Sequence, residues 1–323
     1  MGNRLQMLLV TTAYYLNMKS NRTPNDPASN RKGGQPYWDK MKPSKPVPAL
    51  RKQKTTTGSE RAPIELKNEK GWDVVANWYD KMVGDAGSDY HKNVIMPALL
   101  DRLEPLKGAR VCDVCCGQGF VGKLLVQQGA AYVHGVDASP QLIGSAKKRA
   151  GADVRLSFEV VNASNPGSWA DGSYDLVTCL LAVHDVAEID GLFANIASAL
   201  TATGRAYIVF MHPCFRMPKH SHWGWDAENK IQYRRMDRYG SVLTIPITTH
   251  PGRANSEVTM FYHRPLPAYI AALTKAGLAV TGMNELCSHR RSQIGPRSKA
   301  EHLAAEEFPL FMMMEVKRFV APR

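Results

Sequence analysis

The segment that most constrains the fold is Val111–Gly122, which reads V-C-D-V-C-C-G-Q-G-F-V-G. A short apolar run with one carboxylate leads into a glycine-rich turn, and apolar residues at helical spacing follow at once. This order predicts a strand, a tight loop and a helix. Because Gly117 and Gly119 lack side chains, the backbone there can approach a ligand closely, and the N-terminus of the next helix offers free amide donors. The segment therefore predicts a loop that binds a nucleotide.

A second apolar run, Tyr132–Val136, is followed directly by Asp137, which lies 18 residues beyond Gly119. An acidic residue about 20 residues after such a loop is placed to accept two hydrogen bonds from a ribose diol. A redox dinucleotide-binding domain is the main alternative, but its glycines are spaced G-x-G-x-x-G. Positions 115 and 120 are Cys and Phe here, so the spacing disfavours that class.

The order D-x-C-x-G-x-G, V-D-A-S, V-V-N-A and S-Y-D-L-V-T-C-L-L-A-V-H resembles that of class I S-adenosylmethionine-dependent methyltransferases. The family usually has glycine where Cys115 stands and often aspartate where Asn162 stands. The resemblance implies S-adenosyl-L-methionine as the cofactor. It also implies an α/β fold with a Rossmann-like, seven-stranded, mostly parallel sheet, helices on both faces and an antiparallel last strand.

The resemblance assigns cofactor contacts residue by residue. Asp113 would orient the loop or the methionine amine, Asp137 would hold the ribose, and Asn162 would meet the adenine. The full expected set is Tyr79, Asp113, Cys115, Gly117, Gly119, Asp137, Ala138, Asn162, Ala163 and Leu180.

Alternating apolar runs and helical patterns predict the sheet itself. The strands are expected near residues 109–114, 131–136, 156–161, 174–181, 205–211, 279–286 and 310–319, with helices between the first five. Two further helices are expected before the first strand, from Gly71 onwards. The family resemblance makes them a lid in which Tyr79, Tyr90 and His91 line the pocket; ordinary core packing is the alternative.

Residues 212–266 break this pattern, because they mix histidine, arginine and aromatic residues with little helical spacing. A connection of this length usually builds or covers a site, which predicts a substrate cap inserted between strand 5 and the following helix. The alternative is a β-hairpin insertion that only packs. The substrate-binding candidates are His91, His222, Trp223, Tyr233, Arg234 and Arg235; guanidinium and aromatic groups suit an aromatic or anionic acceptor.

Methyl transfer from a sulfonium is an in-line displacement that chiefly requires alignment and exclusion of water. A general base is optional, and histidine is best matched to neutral pH. His184 and His212, each expected just past a strand, are the catalytic candidates, and a structural role is the alternative for each.

The net charge of +12 is concentrated at one end of the chain. Residues 1–62 hold 12 Lys/Arg and 3 Asp/Glu, which leaves 41 − 12 = 29 basic and 29 − 3 = 26 acidic residues beyond. The composition predicts a disordered basic tail over 1–62 and one domain over 63–323. The apolar start of the tail suits either an organelle-targeting presequence or an upstream start, with Met18 or Met41 as alternatives.

No apolar run is long enough to span a bilayer, and the six cysteines have no regular spacing. A reducing, cytoplasmic compartment is therefore expected, without a metal site, since no second C-x-x-C follows Cys112–Cys116. The predicted function is a small-molecule methyltransferase. The alternatives are an RNA or protein methyltransferase that uses the basic tail, although RNA is not favoured, and a non-catalytic assembly factor. The acceptor atom and the oligomeric state are left open.

Overall fold

The structure, a computed structural model, describes residues 71–103, 106–167, 169–248 and 257–319. All of them belong to the unit Leu66–Arg323. The predictions of a disordered tail over 1–62, of a presequence and of a domain start at residue 63 lie outside the described residues and stay predictions.

Eleven strands are described, numbered in chain order. They are β1 Arg110–Val114, β2 Tyr132–Asp137, β3 Leu156–Val160, β4 Tyr174–Leu180, β5 Leu200–Met211, β6 Ser221–Asp226, β7 Ile231–Met236, β8 Leu243–Thr248, β9 Val258–His263, β10 Leu278–Leu286 and β11 Phe311–Arg318.

Seven of these strands form one sheet in the order β10-β11-β5-β4-β1-β2-β3. The neighbours among β1 to β5 pair in parallel. Strand β11 is antiparallel to both β5 and β10. The prediction of a seven-stranded, mostly parallel sheet with an antiparallel last strand is confirmed.

The described helices are α1 Ala76–Val83, α2 Met96–Leu100, α3 Phe120–Gln127, α4 Pro140–Ala150, α5 Ile189–Ala199, α6 Leu266–Lys275 and α7 Ser298–Glu307. Short 3-10 helices cover Gly71–Val75 and Val183–Asp185, and a π-helical turn covers His91–Ile95. The two helical segments expected before β1 are therefore present.

The predicted helix between β3 and β4 is wrong, because residues 161–167 and 169–173 form only turns and irregular chain. Pro166 lacks an amide donor, and Gly172 adopts a φ of 77° that a helix does not use. Trp169, which is 3% exposed, packs into the core on this side of the sheet. Its side chain buries apolar surface that a helix would otherwise cover.

Apolar residues alternate between the two faces of the central strands. Val111 packs with Leu99 and Leu125 on one face, whereas the neighbouring Cys112 packs with the cluster that contains Phe193 and Tyr269 on the other. Both faces are thus covered by helices, as expected for parallel strands. The carboxyl ends of β1, β2, β4 and β5 meet at one edge, which is where ligands bind on such sheets.

The segment 212–266 contains two antiparallel hairpins, β6–β7 and β8–β9, each a separate two-stranded sheet. Their strands are short, and β7, β8 and β9 alternate half-buried with exposed or buried residues, whereas β6 does not alternate. The described part of this insertion is therefore built from hairpins. Whether it covers an acceptor stays a prediction.

Candidate functional site

The loop Cys115–Gly119 joins β1 to α3 in a left-handed path. Cys115, Gly117 and Gly119 have φ values of 57°, 55° and 81°. A Cβ added to Gly117 would lie 3.3 Å from the ring of Tyr79, and one added to Gly119 would lie 2.8 Å from Phe158. Both glycines are favoured by conformation, and Gly119 is also required by space, whereas a side chain at Gly117 would make a tight contact with Tyr79. Tyr79 therefore lies directly against the loop.

Asp137 fastens this loop to the end of β2. Its Oδ2 accepts a hydrogen bond from the Gly117 amide (2.9 Å), and its Oδ1 accepts one from the Ser139 amide (2.9 Å). Each carboxylate oxygen keeps a second lone pair for a ligand hydroxyl. Burial raises the pKa of this carboxyl. The exposed Ala138 lies between these two anchored points.

Asp113 is buried near the end of β1, with 1% of its surface exposed. The Thr178 hydroxyl donates to its Oδ1 (2.7 Å), whereas Oδ2 has no hydrogen-bond partner among the described residues. Burial is the main reason that the pKa of this carboxyl rises to about 7. A buried, unsatisfied carboxylate oxygen costs free energy that a cationic or hydroxyl donor would recover.

The helical segment that carries Tyr79 is held onto α4 by its own carboxylates. Asp73 accepts from the Ser139 hydroxyl (2.5 Å) and from the Gln141 amide (3.0 Å) at the start of α4. Asp80 forms an ion pair with Arg149 at 2.5 Å. These contacts fix the segment over the glycine loop, so the predicted lid has a defined position.

The turn after β3 carries Asn162 and Ala163. The side-chain oxygen of the exposed Asn162 accepts from the Ser164 amide (3.0 Å). Asn195 of α5 donates to the carbonyl of the buried Ala163 (2.8 Å). Among the described residues, the amide nitrogen of Asn162 makes no hydrogen bond, so it remains as a donor at the edge of the sheet.

His184 lies in the turn after β4, next to Asp185. Its Nε2 is 3.9 Å from Asp185 Oδ2, and its Nδ1 is 3.5 Å from the Met211 amide. Burial lowers the pKa of His184 to about 3 and raises that of Asp185 well above its ordinary value.

Asp185 shares the space around Tyr79 with two other carboxylates. Burial raises the pKa of the Tyr79 phenol most, and the charges of Asp137, Asp185 and Asp113 raise it further. We did not single out Asp185 from the sequence. The sequence pattern that could have indicated it is an acidic residue directly after the candidate His184, just past a predicted strand.

The second hairpin contributes a wall to this turn. Phe261 of β9 is 5% exposed, and its ring centroid lies 5.1 Å from that of His184. At the end of β9, the buried Arg264 donates to the carbonyl of Val186 (3.0 Å) and to that of Ala187. Arg264 therefore holds the turn that carries His184 and Asp185 in place. No spacing of residues in the sequence predicted this role.

His212 has both ring nitrogens engaged. Its Nε2 lies 2.8 Å from Glu285 Oε1, and its Nδ1 accepts from the Cys214 amide (3.2 Å). Burial lowers its pKa, whereas Glu285 acts in the opposite direction. In this arrangement the imidazole holds the chain that leaves β5, and neither nitrogen is free to take a proton from a ligand.

His91 is also occupied locally. Its Nδ1 bonds with the Ser88 hydroxyl (2.8 Å), its ring centroid lies 4.9 Å from that of Phe120, and only 4% of the residue is exposed. These contacts pack the start of the π-helical turn.

Leu180 is half-buried where β4 ends, in the cluster that also contains Tyr79.

The five candidates on the first hairpin lie on two different faces. Trp223 pairs directly with Arg234, and His222 pairs with Arg235 one register position away. Directly opposite residues share a face and successive residues alternate, so Tyr233 joins the His222 face. Arg234 stacks on Trp223 at 4.9 Å, whereas the exposed Arg235 pairs with Asp237. The structure does not bring the five together.

All six cysteines are free thiols. Within the described ranges, no group of three or more His, Cys, Asp or Glu side chains is arranged to hold a metal ion. None of the helices in that part of the chain combines the length and apolar character needed to cross a membrane.

Comparison with known proteins gives a consistent result. Residues 111–204 match the sequence profile of the methyltransferase domain family. A ubiquinone biosynthesis O-methyltransferase of Neisseria meningitidis serogroup C is 25% identical over 45% of this chain and 60% of the relative. An aklanonic acid methyltransferase of a Streptomyces species is 36% identical over 36% of this chain and 54% of the relative. The chain thus spans little more than half the length of these curated relatives.

Among solved structures, an S-adenosylmethionine-dependent methyltransferase of Mesorhizobium loti is similar over 73% of this chain and 100% of that one. The TM-score is 0.56 and the identity 26%. This likeness covers a larger share of the chain than residues 111–204.

Proposed function

We propose that this chain, in which residues 111–204 are a methyltransferase domain, transfers a methyl group from S-adenosyl-L-methionine to a small-molecule acceptor. The observation that carries the proposal is the left-handed glycine loop, tied by Asp137 to the end of β2 and covered by Tyr79. A loop of this shape presents backbone amides and a carboxylate to one ligand.

The residues present fit this cofactor. Asp137 has lone pairs for the two ribose hydroxyls, and the unsatisfied Oδ2 of Asp113 suits the methionine ammonium. The Asn162 amide and the Ala163 turn would meet the adenine, with Leu180 near the methyl group. When bound, the cofactor supplies a methyl group on a sulfonium, which is already activated for displacement.

The chain's own contribution is alignment and exclusion of water. The segment 71–83 is fixed over the loop by Asp73 and Asp80, so it closes one side of the space in which the acceptor meets the methyl group. Holding two reactants in line is worth up to about 7–11 kcal/mol of the barrier.

For an acceptor that must lose a proton, we propose His184 as the base. Its low pKa keeps it neutral at pH 7. Because Nδ1 accepts from the Met211 amide at 3.5 Å, Nε2 carries the ring proton in this arrangement. His184 takes a proton in the other tautomer, which gives up this long contact and places the lone pair on Nε2, 3.9 Å from Asp185. His212 is the weaker candidate, since its two nitrogens already bond to Glu285 and Cys214.

The test is calorimetric titration of S-adenosylhomocysteine into the wild type, Asp137→Ala and a control, Asp190→Ala. Asp190 is an exposed carboxylate paired with Lys275 on the surface. Hydrogen bonds to a charged group contribute about 1.5–3 kcal/mol each, so Asp137→Ala should weaken binding about 100-fold while the control binds like the wild type. Absence of binding by the wild type, or equal binding by Asp137→Ala, would overturn the proposal.

A small-molecule acceptor is supported by the names of the two curated relatives, which refer to ubiquinone biosynthesis and to aklanonic acid. The acceptor atom is open between oxygen, nitrogen and carbon. Product formation with a small-molecule panel is the expected result, and turnover only on RNA or protein would refute this part. The cytoplasmic location stays a prediction.

A further inference from the structure

Arg216 is a half-buried arginine that has no counter-ion among the described residues. It follows β5 closely, and its backbone amide bonds to the carbonyl of His212 (2.8 Å). Across the described ranges, its guanidinium makes no hydrogen bond or ion pair, and burial lowers its pKa. Charged groups that leave water are normally paired, because desolvation costs several kcal/mol.

Arg234 places a second guanidinium in the same region. It donates to the carbonyl of Phe215 (2.9 Å) and to the Ser221 hydroxyl (2.6 Å), both neutral groups. Burial lowers its pKa, and the charge of Arg216 lowers it further. The two cations are therefore close enough to repel each other, and within the described chain neither has a carboxylate partner.

Two carboxylates of neighbouring segments are already paired. Glu285 bonds to His212 at 2.8 Å. Asp89 bonds to Arg290 at 2.6 Å and to His289 at 3.3 Å. Neither Glu285 nor Asp89 therefore compensates the positive charge at Arg216 and Arg234, which an anionic ligand would do.

Aromatic rings line the same region. The ring of Phe308 makes edge-to-face contacts with Phe215 and Trp223, each at 5.5 Å, and Arg234 stacks on Trp223 at 4.9 Å. Aromatic surface beside a few charged groups is typical of the lining of small-molecule sites.

Arg216 and Arg234 lie where a methyl acceptor would be expected to bind. Tyr90, which lies close enough to influence the pKa of Arg216, packs its ring against Phe311 at 5.5 Å. Phe311 pairs with Met211, the last residue of β5. The pair of arginines therefore lies at the carboxyl edge of the sheet, the same edge as His184.

We propose that Arg216 and Arg234 bind an oxyanion, carboxylate or phosphate, on the methyl acceptor, whose aromatic part packs against Phe215, Trp223 and Phe308. This inference rests on the proposed methyltransferase function and gives its substrate class. Within the described ranges, the donors of Arg216 and those left on Arg234 have no partner, so they can form the forked hydrogen bonds that guanidinium makes with such groups.

The test uses the full chain and four probes: benzoate, phenyl phosphate, inorganic phosphate and the neutral benzamide. Calorimetry compares the wild type with Arg216→Gln and with Arg235→Gln, a matched control because Arg235 is exposed and lies on the other face of the hairpin. Benzoate or phenyl phosphate should bind at least about tenfold more tightly than benzamide, a preference that Arg216→Gln removes and Arg235→Gln retains. Inorganic phosphate reports the anion contribution alone, and tighter binding of benzoate than of phenyl phosphate would select a carboxylate.

Two further measurements separate the possible failures. In the absence of ligand, Arg216→Gln should melt at or above the wild-type temperature, because it removes a half-buried charge that has no partner among the described residues. A melting temperature several degrees lower, equal binding of benzoate and benzamide, or no binding of either anion would overturn the inference.

S-adenosylhomocysteine should bind equally to wild type and Arg216→Gln. If it binds while the anion preference is absent, the inference fails and the methyltransferase function stands; if it does not bind to the wild type, the function itself fails.

Discussion

Replacing Asp113 with asparagine tests how much the buried carboxylate at the centre of the site costs the ligand-free protein. The pKa of this carboxyl is about 7 in the folded chain, against an ordinary value of 3.8. The difference of about three pKa units corresponds to about 4 kcal/mol, at about 1.4 kcal/mol per unit. Because only 1% of Asp113 is exposed, solvent screening does not reduce this figure much.

The sign follows from proton binding. With its pKa raised by folding, Asp113 holds its proton in the folded state over a range in which the unfolded state has lost it. The wild type therefore loses stability as the pH rises from about 4 through about 7. Asparagine does not titrate, and its amide oxygen still accepts from Thr178. The free energy of unfolding of Asp113→Asn, minus that of the wild type, should rise by about 4 kcal/mol between about pH 4 and pH 8.

Urea unfolding at several pH values measures this difference. An effect of the new NH2 group that does not depend on pH cancels, because only the change in the free energy of unfolding with pH is compared between the variant and the wild type. The exposed Asp190→Asn variant should show no such slope. Parallel curves for Asp113→Asn and the wild type would refute the reasoning. Saturating S-adenosylmethionine should reduce the slope, since a cationic ammonium near Oδ2 would stabilise the ionised form.

Three other substitutions test the loop, the turn and the lid. Gly119→Ala should lower the free energy of unfolding by about 1–3 kcal/mol, since φ is 81° and the new Cβ would lie 2.8 Å from Phe158; unchanged denaturant midpoints would contradict this. Arg264→Lys should lower kcat and leave S-adenosylhomocysteine affinity unchanged, because it loosens only the 183–187 turn; a loss of affinity without a change in kcat would argue against it. Arg149→Gln should weaken cofactor binding severalfold, since it releases Asp80; equal affinity in a calorimetric titration would count against the lid.

The core of the fold was predictable because it rests on local patterns. The strand, the glycine loop, the helix and the acid at the end of β2 follow each other within one short stretch of chain, and each leaves a signature of apolar spacing or of glycine. Asp137 was placed correctly at the end of its strand for this reason. Its ligand contacts, like those of the other predicted site residues, stay predictions until binding is measured.

Other features depended on contacts between distant segments. The turn after β3 has no helix, because Trp169 fills the core from an irregular chain. Pairing register separated the hairpin candidates onto two faces and set Arg234 near Arg216. His212 received a carboxylate from β10, 73 residues later in the chain.

The sequence by itself determined the order along the chain of the seven sheet strands and the glycine loop after β1, because short-range backbone and apolar patterns decide these. Only the tertiary structure decided which polar groups are satisfied. Among the described residues, Asp113 has an oxygen without a partner and Arg216 has no counter-ion, whereas Arg264 holds the His184 turn from a separate hairpin. Whether a charged group is buried and paired depends on which distant segments of the chain pack against it, and no local sequence pattern contains that information.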